Sequence, residues 1–157
     1  MSDIEFQDNS LQVKAAIEST CIAWLYEAAG EIRSRTQRNA SVDTGQTKNS
    51  WQYNVDANEK KAVVGNPLEN AIWEEFGTGQ YALNGDGRKT PWYVPVDGYT
   101  GNKGPTYQGK VIVVYGKGGK QFYKTDGKKP QRNLQKAFDS LKNKLQKDLE
   151  SRMKGIG

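Results

Sequence analysis

Near each end of the chain, apolar residues recur every three or four positions; between these stretches the period falls to two. Val13, Ile17, Cys21, Trp24, Ala28 and Ile32 form the first series, a spacing that lays them along one face of a helix, with Leu25 widening the stripe. Asp8, Asn9 and Ser10 offer caps at its start. Arg33, Arg35 and Arg38 fall near its carboxyl end, where cations oppose the negative pole of the helix dipole. The second series starts near Pro130 and runs through Leu134, Ala137, Phe138, Leu141, Leu145, Leu149 and Met153, with lysine and arginine on the other faces. Both stripes read as core, Trp24 and Phe138 being their largest members. Cys21 reads as a small buried hydrophobe.

In the middle, Asp43-Thr44-Gly45 is a turn signal. Trp51, Tyr53 and Val55 then alternate with Gln52 and Asn54, which predicts a half-buried strand. A turn over Asp56 to Glu59 and a return through Lys61 to Gly65 complete a hairpin, and Asn66-Pro67 ends it. Leu68, Ala71, Ile72, Glu75 and Phe76 share one face of a short helix, and Gly77 suits a left-handed cap after its last turn. Within that helix, Glu74 and Glu75 are adjacent and so point about 100° apart. They therefore cannot converge on one substrate as a catalytic dyad. Lying at the negative end of the helix dipole, they call for a cation from elsewhere in this chain or from another subunit.

Residues 77–129 are rich in glycine, asparagine and tyrosine, with short strands expected in Pro91–Val96, Lys110–Tyr115 and around Lys120–Lys129. Loops of this kind bury too little surface to order themselves, yet aromatic residues are concentrated in them. The segment is expected to be an extended loop or hairpin arm. Trp92, Tyr93, Tyr99, Tyr107, Tyr115, Phe122 and Tyr123, together with Glu74 and Glu75, are the candidate subunit-interface residues. The fold class is α+β: a small antiparallel sheet packed by long N- and C-terminal helices, in one domain spanning 1–157.

Composition removes whole classes of chemistry. The 157 residues suit one domain; 35 % are hydrophobic and 26 % charged, and no run of 18 apolar residues occurs that would suit a membrane span. No basic-then-apolar leader opens the chain, and the single cysteine, Cys21, has no internal disulfide partner. There is no histidine. Ser–His and Cys–His nucleophilic sites and Cys/His zinc sites therefore cannot be assembled from this chain. Gly104–Val111 nearly spells a phosphate-binding loop, but Val111 stands where Ser or Thr is required, and a strand is predicted where a helix must begin. The run around Asn84–Lys89 lacks the carboxylate spacing of a calcium loop. No enzyme activity, cofactor or metal site is expected.

Charge adds an asymmetry. Residues 1–79 hold seven Lys/Arg against twelve Asp/Glu, whereas residues 103–157 hold fourteen against four. Such segregation suits complementary surfaces between subunits, or a nucleic-acid face in which the lysines of the C-terminal half meet phosphates and its aromatics stack on bases.

The motifs occur in an informative order. "SVDTGQTKNSW", "VVGNPLENAIWEEFGTG", "GRKTPWY" and "DGKKPQRNLQKAF" together resemble the small tail-component family of long, non-contractile-tailed bacteriophages, whose members are called neck, head–tail joining or tail-completion proteins. Val42–Gly45, Trp73–Thr78 and Lys129–Phe138 occupy the places of that family's motifs. Thr47 or Lys48 stands where the family has leucine, and Gln131-Arg132-Asn133 separates Pro130 from Leu134 where it has Pro-Phe-Leu. The span Tyr93–Tyr123 is longer than usual. The resemblance implies a structural virion protein, assembled in the host bacterial cytoplasm into a ring, by analogy with tail symmetry a hexamer. Its expected partners are copies of itself, a head-completion or connector protein, a tail terminator or tail tube protein, and genomic DNA passing through the lumen without sequence-specific binding; no membrane partner is implied. The alternative reading is a basic nucleic-acid-binding protein.

Overall fold

A computed structural model describes residues 7–41, 45–96 and 112–156. The Asp43-Thr44 part of the first turn, Tyr99, Tyr107 and the Gly104–Val111 run lie outside the described residues.

Helix α1 covers Ser10–Asn39. Its start is tied by Asp8, whose carboxylate accepts the Ser10 N–H at 2.9 Å. After α2 (Gln46–Asn49), strands β1 (Gln52–Asp56) and β2 (Lys61–Gly65) form the expected antiparallel hairpin, with Tyr53 opposite Val64 and Val55 opposite Ala62. The Asp56 carboxylate closes its turn by accepting the Asn58 and Glu59 N–H groups at 2.9 and 3.0 Å. Helix α3 covers Glu69–Phe76. Strands β3 (Trp92–Pro95), β4 (Ile112–Tyr115) and β5 (Gln121–Thr125) make a second antiparallel sheet in the order β3-β5-β4. Helix α4, Asn133–Lys154, ends the fold. The expected α+β architecture is thus present, with two small sheets.

The two long helices run antiparallel. Asn39 on α1 meets the start of α4 through the Asn133 carbonyl at 3.2 Å, and Trp24 Nε1 donates to the Leu145 carbonyl at 3.1 Å farther along. Ala28, Leu141 and Leu145 are the buried centre of this seam, with Trp24 and Ile32 packed on it. Glu27 pairs with Arg152, and Glu31 with Lys144, along its rim. The hairpin lies on another side of α1. There Tyr53 approaches Gly30, the Arg33 Nε donates to the Trp51 carbonyl at 3.0 Å, and Lys60 pairs with Glu18 at 3.3 Å.

The core is smaller than the periodicity implies. Phe138, expected inside, is 47 % exposed, and Val13 and Ile17 are 43 % and 41 % exposed. Phe138 sits beside the Leu141–Leu145 face of α4 rather than on it, so it borders a groove. Val13 and Ile17 continue the α4-facing stripe of α1, but residues 7–15 are all exposed, as the start of α1 projects past the end of α4.

Candidate functional site

The segment from Trp73 to Gly79 locks three parts of the chain together. Glu75, only 8 % exposed, turns both carboxylate oxygens onto the amino end of α4, where they accept the Leu134 and Gln135 N–H groups at 2.9 Å each. Arg132, the residue at the N-cap position of α4, makes no side-chain cap. The carboxylate thus satisfies orphan amides and meets the positive end of the helix dipole. Glu74 pairs with Lys128 at 3.1 Å, and both side chains are largely buried. The cation that these two acids called for is Lys128 of the same chain, and Glu75 is answered by backbone amides.

The glycines around them make a close crossing possible. Gly77 has φ 76° and ψ 175°, an extended backbone with positive φ rather than the expected left-handed cap, and essentially only glycine adopts it. Thr78 N–H donates to the Lys128 carbonyl at 2.9 Å, while the Thr78 hydroxyl accepts the Lys128 N–H at 2.9 Å. A Cβ on Gly79 would lie 2.1 Å from the Asp126 carbonyl oxygen, and one on Gly127 would lie 2.1 Å from the Thr78 carbonyl oxygen. Two strands of backbone therefore touch directly, Gly77–Gly79 against Asp126–Lys128. This clasp joins α3, the end of β5 and the start of α4.

Beyond the clasp lies the three-stranded sheet, which carries most of the aromatic candidates. No helix packs extensively on either of its faces among the described residues. Tyr93 and Phe122 fall on one face, and Trp92, Tyr115 and Tyr123 on the other, as the register and the alternation of side chains require. Trp92 rests on Gly79 and beneath the Arg88 guanidinium, 5.9 Å from its ring centre, and Phe122 packs on Gly116. Tyr93 and Tyr115 stand out, 55 % and 74 % exposed. The sheet thus presents aromatic surface on both sides.

A second feature was invisible in the sequence. Between the hairpin and α4, over the floor made by α1, runs an apolar groove of about 520 Å³ where Phe76 and Leu83 close it, continuing past Phe138 to Trp24 and Leu149. Most of its apolar residues on α1 and α4 repeat at helical spacing and read as core in the sequence, while Ala62 and Val64, which alternate along β2, drew no such reading. Nothing in the spacing told that the hairpin and α4 diverge enough to leave space between them.

Among the described residues no group of three or more His, Cys, Asp or Glu is placed to hold a metal ion, and no helix is long and apolar enough to cross a membrane.

Comparison with known proteins adds one family. Residues 4–77 match the family described as "Bacteriophage HK97-gp10, putative tail-component". The matched stretch takes in α1, the β1–β2 hairpin and α3, and it ends at the first glycine of the clasp. The match, over just under half of the chain, supports a bacteriophage tail-component family. No curated protein and no solved structure matches the chain.

Proposed function

We propose that the chain is a structural protein of the phage neck or tail that assembles into a ring, joins the head connector to the tail tube and lets DNA pass through its lumen. The observation that carries this reading is the tail-component match over residues 4–77. Two structural features support it. The conspicuous motif, Glu74 to Gly79, is spent on holding the chain's own shape, with its carboxylates bound to Lys128 and to the start of α4. Among the described residues no helix packs extensively on the three-stranded sheet, which offers Tyr93 and Tyr115 to neighbours, with Trp92, Phe122 and Tyr123 beside them. Exposed aromatics in such density favour protein contact over solvent.

In this reading the partners are further copies of the chain, hexameric by analogy with tail symmetry, a connector protein on one side and a tail terminator or tube protein on the other. The protein performs no chemistry. Phage lacking the chain should accumulate filled heads and finished tails that remain unjoined, and complementation should restore joined particles. Cryo-electron microscopy of those particles should show several copies around the tail axis at the neck. Joined particles of normal infectivity made without the chain would overturn the proposal, as would a single copy per particle.

A further inference from the structure

We infer that the groove between the hairpin and α4 receives the projecting amino end of α1 from a second copy of the chain. This deepens the ring reading proposed above and rests on it.

The groove is apolar, open and continuous. Ile32, Val64, Phe138 and Ala62 border both of its halves. Phe138, Ile72 and Leu83 are 47 %, 57 % and 51 % exposed around it, an apolar surface that water contacts in the isolated chain. Its walls also carry Arg132 and Lys142, while Glu75, the acid it contains, has both oxygens occupied by backbone N–H groups. Lys142 pairs with Asp139 at 3.5 Å, so the groove presents apolar walls with Arg132 and that exposed pair at its rim, a net positive charge.

The same chain carries a segment of matching chemistry elsewhere. The start of α1 exposes Leu11 at 80 %, Val13 at 43 % and Ile17 at 41 %. Val13 and Ile17 lie on the side of α1 that farther along meets α4, and Leu11 lies on the side that farther along meets the hairpin. A helix with apolar residues on two sides fits a groove with an apolar wall on each side. Just before the helix stands Asp8, whose negative charge complements the basic rim. The occupant cannot be the chain's own amino end. Helix α1 is continuous and roughly 45 Å long at the α-helical rise, and its later residues Trp24, Ala28 and Ile32 line the groove. A second copy is required.

Donor and groove are different surfaces, so the contact is heterologous, the kind that propagates around a ring. That gives a specific test by sedimentation of the full chain. Val13→Asp with Ile17→Asp removes the donor, and Ile72→Asp damages the groove; all three sites are exposed, and thermal melting checks that each variant folds. Each variant alone should self-associate at least about tenfold more weakly than the wild type, as loss of a buried anchor does. Mixing the two should restore one contact per pair and yield dimers that grow no further. Should Ile72→Asp fail to fold, disulfide trapping replaces it. In a Cys21→Ala background, Val13→Cys chains should cross-link to Ala62→Cys chains. Wild-type chain that stays monomeric up to about 1 mM overturns the inference. So do variants that associate like wild type, or a mixture that gives no dimers. Virions separate this inference from the reading beneath it. Several copies per neck with full incorporation of the donor variant would keep the ring and discard this contact. A single copy per neck would discard the ring itself.

Discussion

At the scale of single residues, Glu75 replaces a cap that the sequence of α4 does not provide. A helix whose own N-cap position is Arg132 at φ 54° starts in a conformation that disfavours it, and its first amides need partners. Glu75→Ala leaves those amides without the carboxylate and should destabilise the fold by about 1–2 kcal/mol, the range of a lost N-cap. Glu75→Gln keeps one oxygen acceptor and should cost less. Urea denaturation with an unchanged m-value would measure both; an alanine variant as stable as the wild type would mean that α4 starts without this help. The aromatic residues divide in the same way. Trp24 packs on the buried Ala28–Leu141–Leu145 centre and donates to Leu145, so Trp24→Ala should cost about 3 kcal/mol. Phe138, half exposed on the groove, should cost only about 1 kcal/mol on truncation to alanine. Equal losses in the two variants would show that the periodic stripe, and not the groove, describes Phe138.

At the scale of elements, the glycines of the clasp separate two kinds of requirement. Gly79 and Gly127 both have positive φ and face a carbonyl oxygen that an added Cβ would strike at 2.1 Å. Alanine at either position should cost at least about 3 kcal/mol, because left-handed strain and forced backbone displacement add. Gly85 also has positive φ, at 73°, but nothing lies near its Cβ position. Gly85→Ala should lose only about 1 kcal/mol, the backbone part alone. Melting curves of the three variants would check this, and comparable shifts in all three would show that the crossing yields easily. The elements themselves were largely legible. Period four marked α1 and α4, period two marked β1, and short β-branched and aromatic runs marked β3, β4 and β5. What stayed hidden was pairing at a distance. Residue spacing showed that Glu74 needed a cation but not that Lys128, 54 positions later, supplies it. Likewise it put Phe138 inside the α4 stripe as core, without telling whether the hairpin would close over it, and Phe138 stands 47 % exposed. Both depend on how elements with several possible neighbours settle against one another, and a local pattern does not encode that.

At the scale of the whole molecule, the segregation of charge along the sequence is partly used inside the subunit. Glu27, Glu31 and Glu74 from the acidic half meet Arg152, Lys144 and Lys128 from the basic half, so the sign asymmetry helps to draw α1 against α4 and to close the clasp. Much of the remaining positive charge on α4 faces solvent, where it is available to neighbours. The pH dependence of stability follows from the same pairs. Glu27 is held below the ordinary glutamate value of 4.5, first by its hydrogen bonds from Arg152 and then by that residue's charge. Asp139 is held below 3.8, chiefly by the hydrogen bond from Gln135, and Asp8 below 3.8 by the Ser10 N–H. A carboxylate whose folded pKa is depressed binds fewer protons folded than unfolded. The stability it confers is complete above the unfolded value and is lost as pH falls through the folded one. All three shifts have this sign. With no histidine in the chain, no side chain of ordinary pKa changes charge between about pH 5.5 and 7. Thermal stability should therefore be flat across that interval and decline below about pH 4.5, the decline starting as the carboxylates take up protons. Glu27→Gln should flatten the upper part of the decline, and added salt should shrink the difference between variant and wild type, because this pair is exposed and screened. Melting followed from pH 7 down to pH 3 in both proteins decides it. A transition centred near pH 6, or an acid limb unchanged by Glu27→Gln, would show that some other group governs how the two halves of the chain hold together.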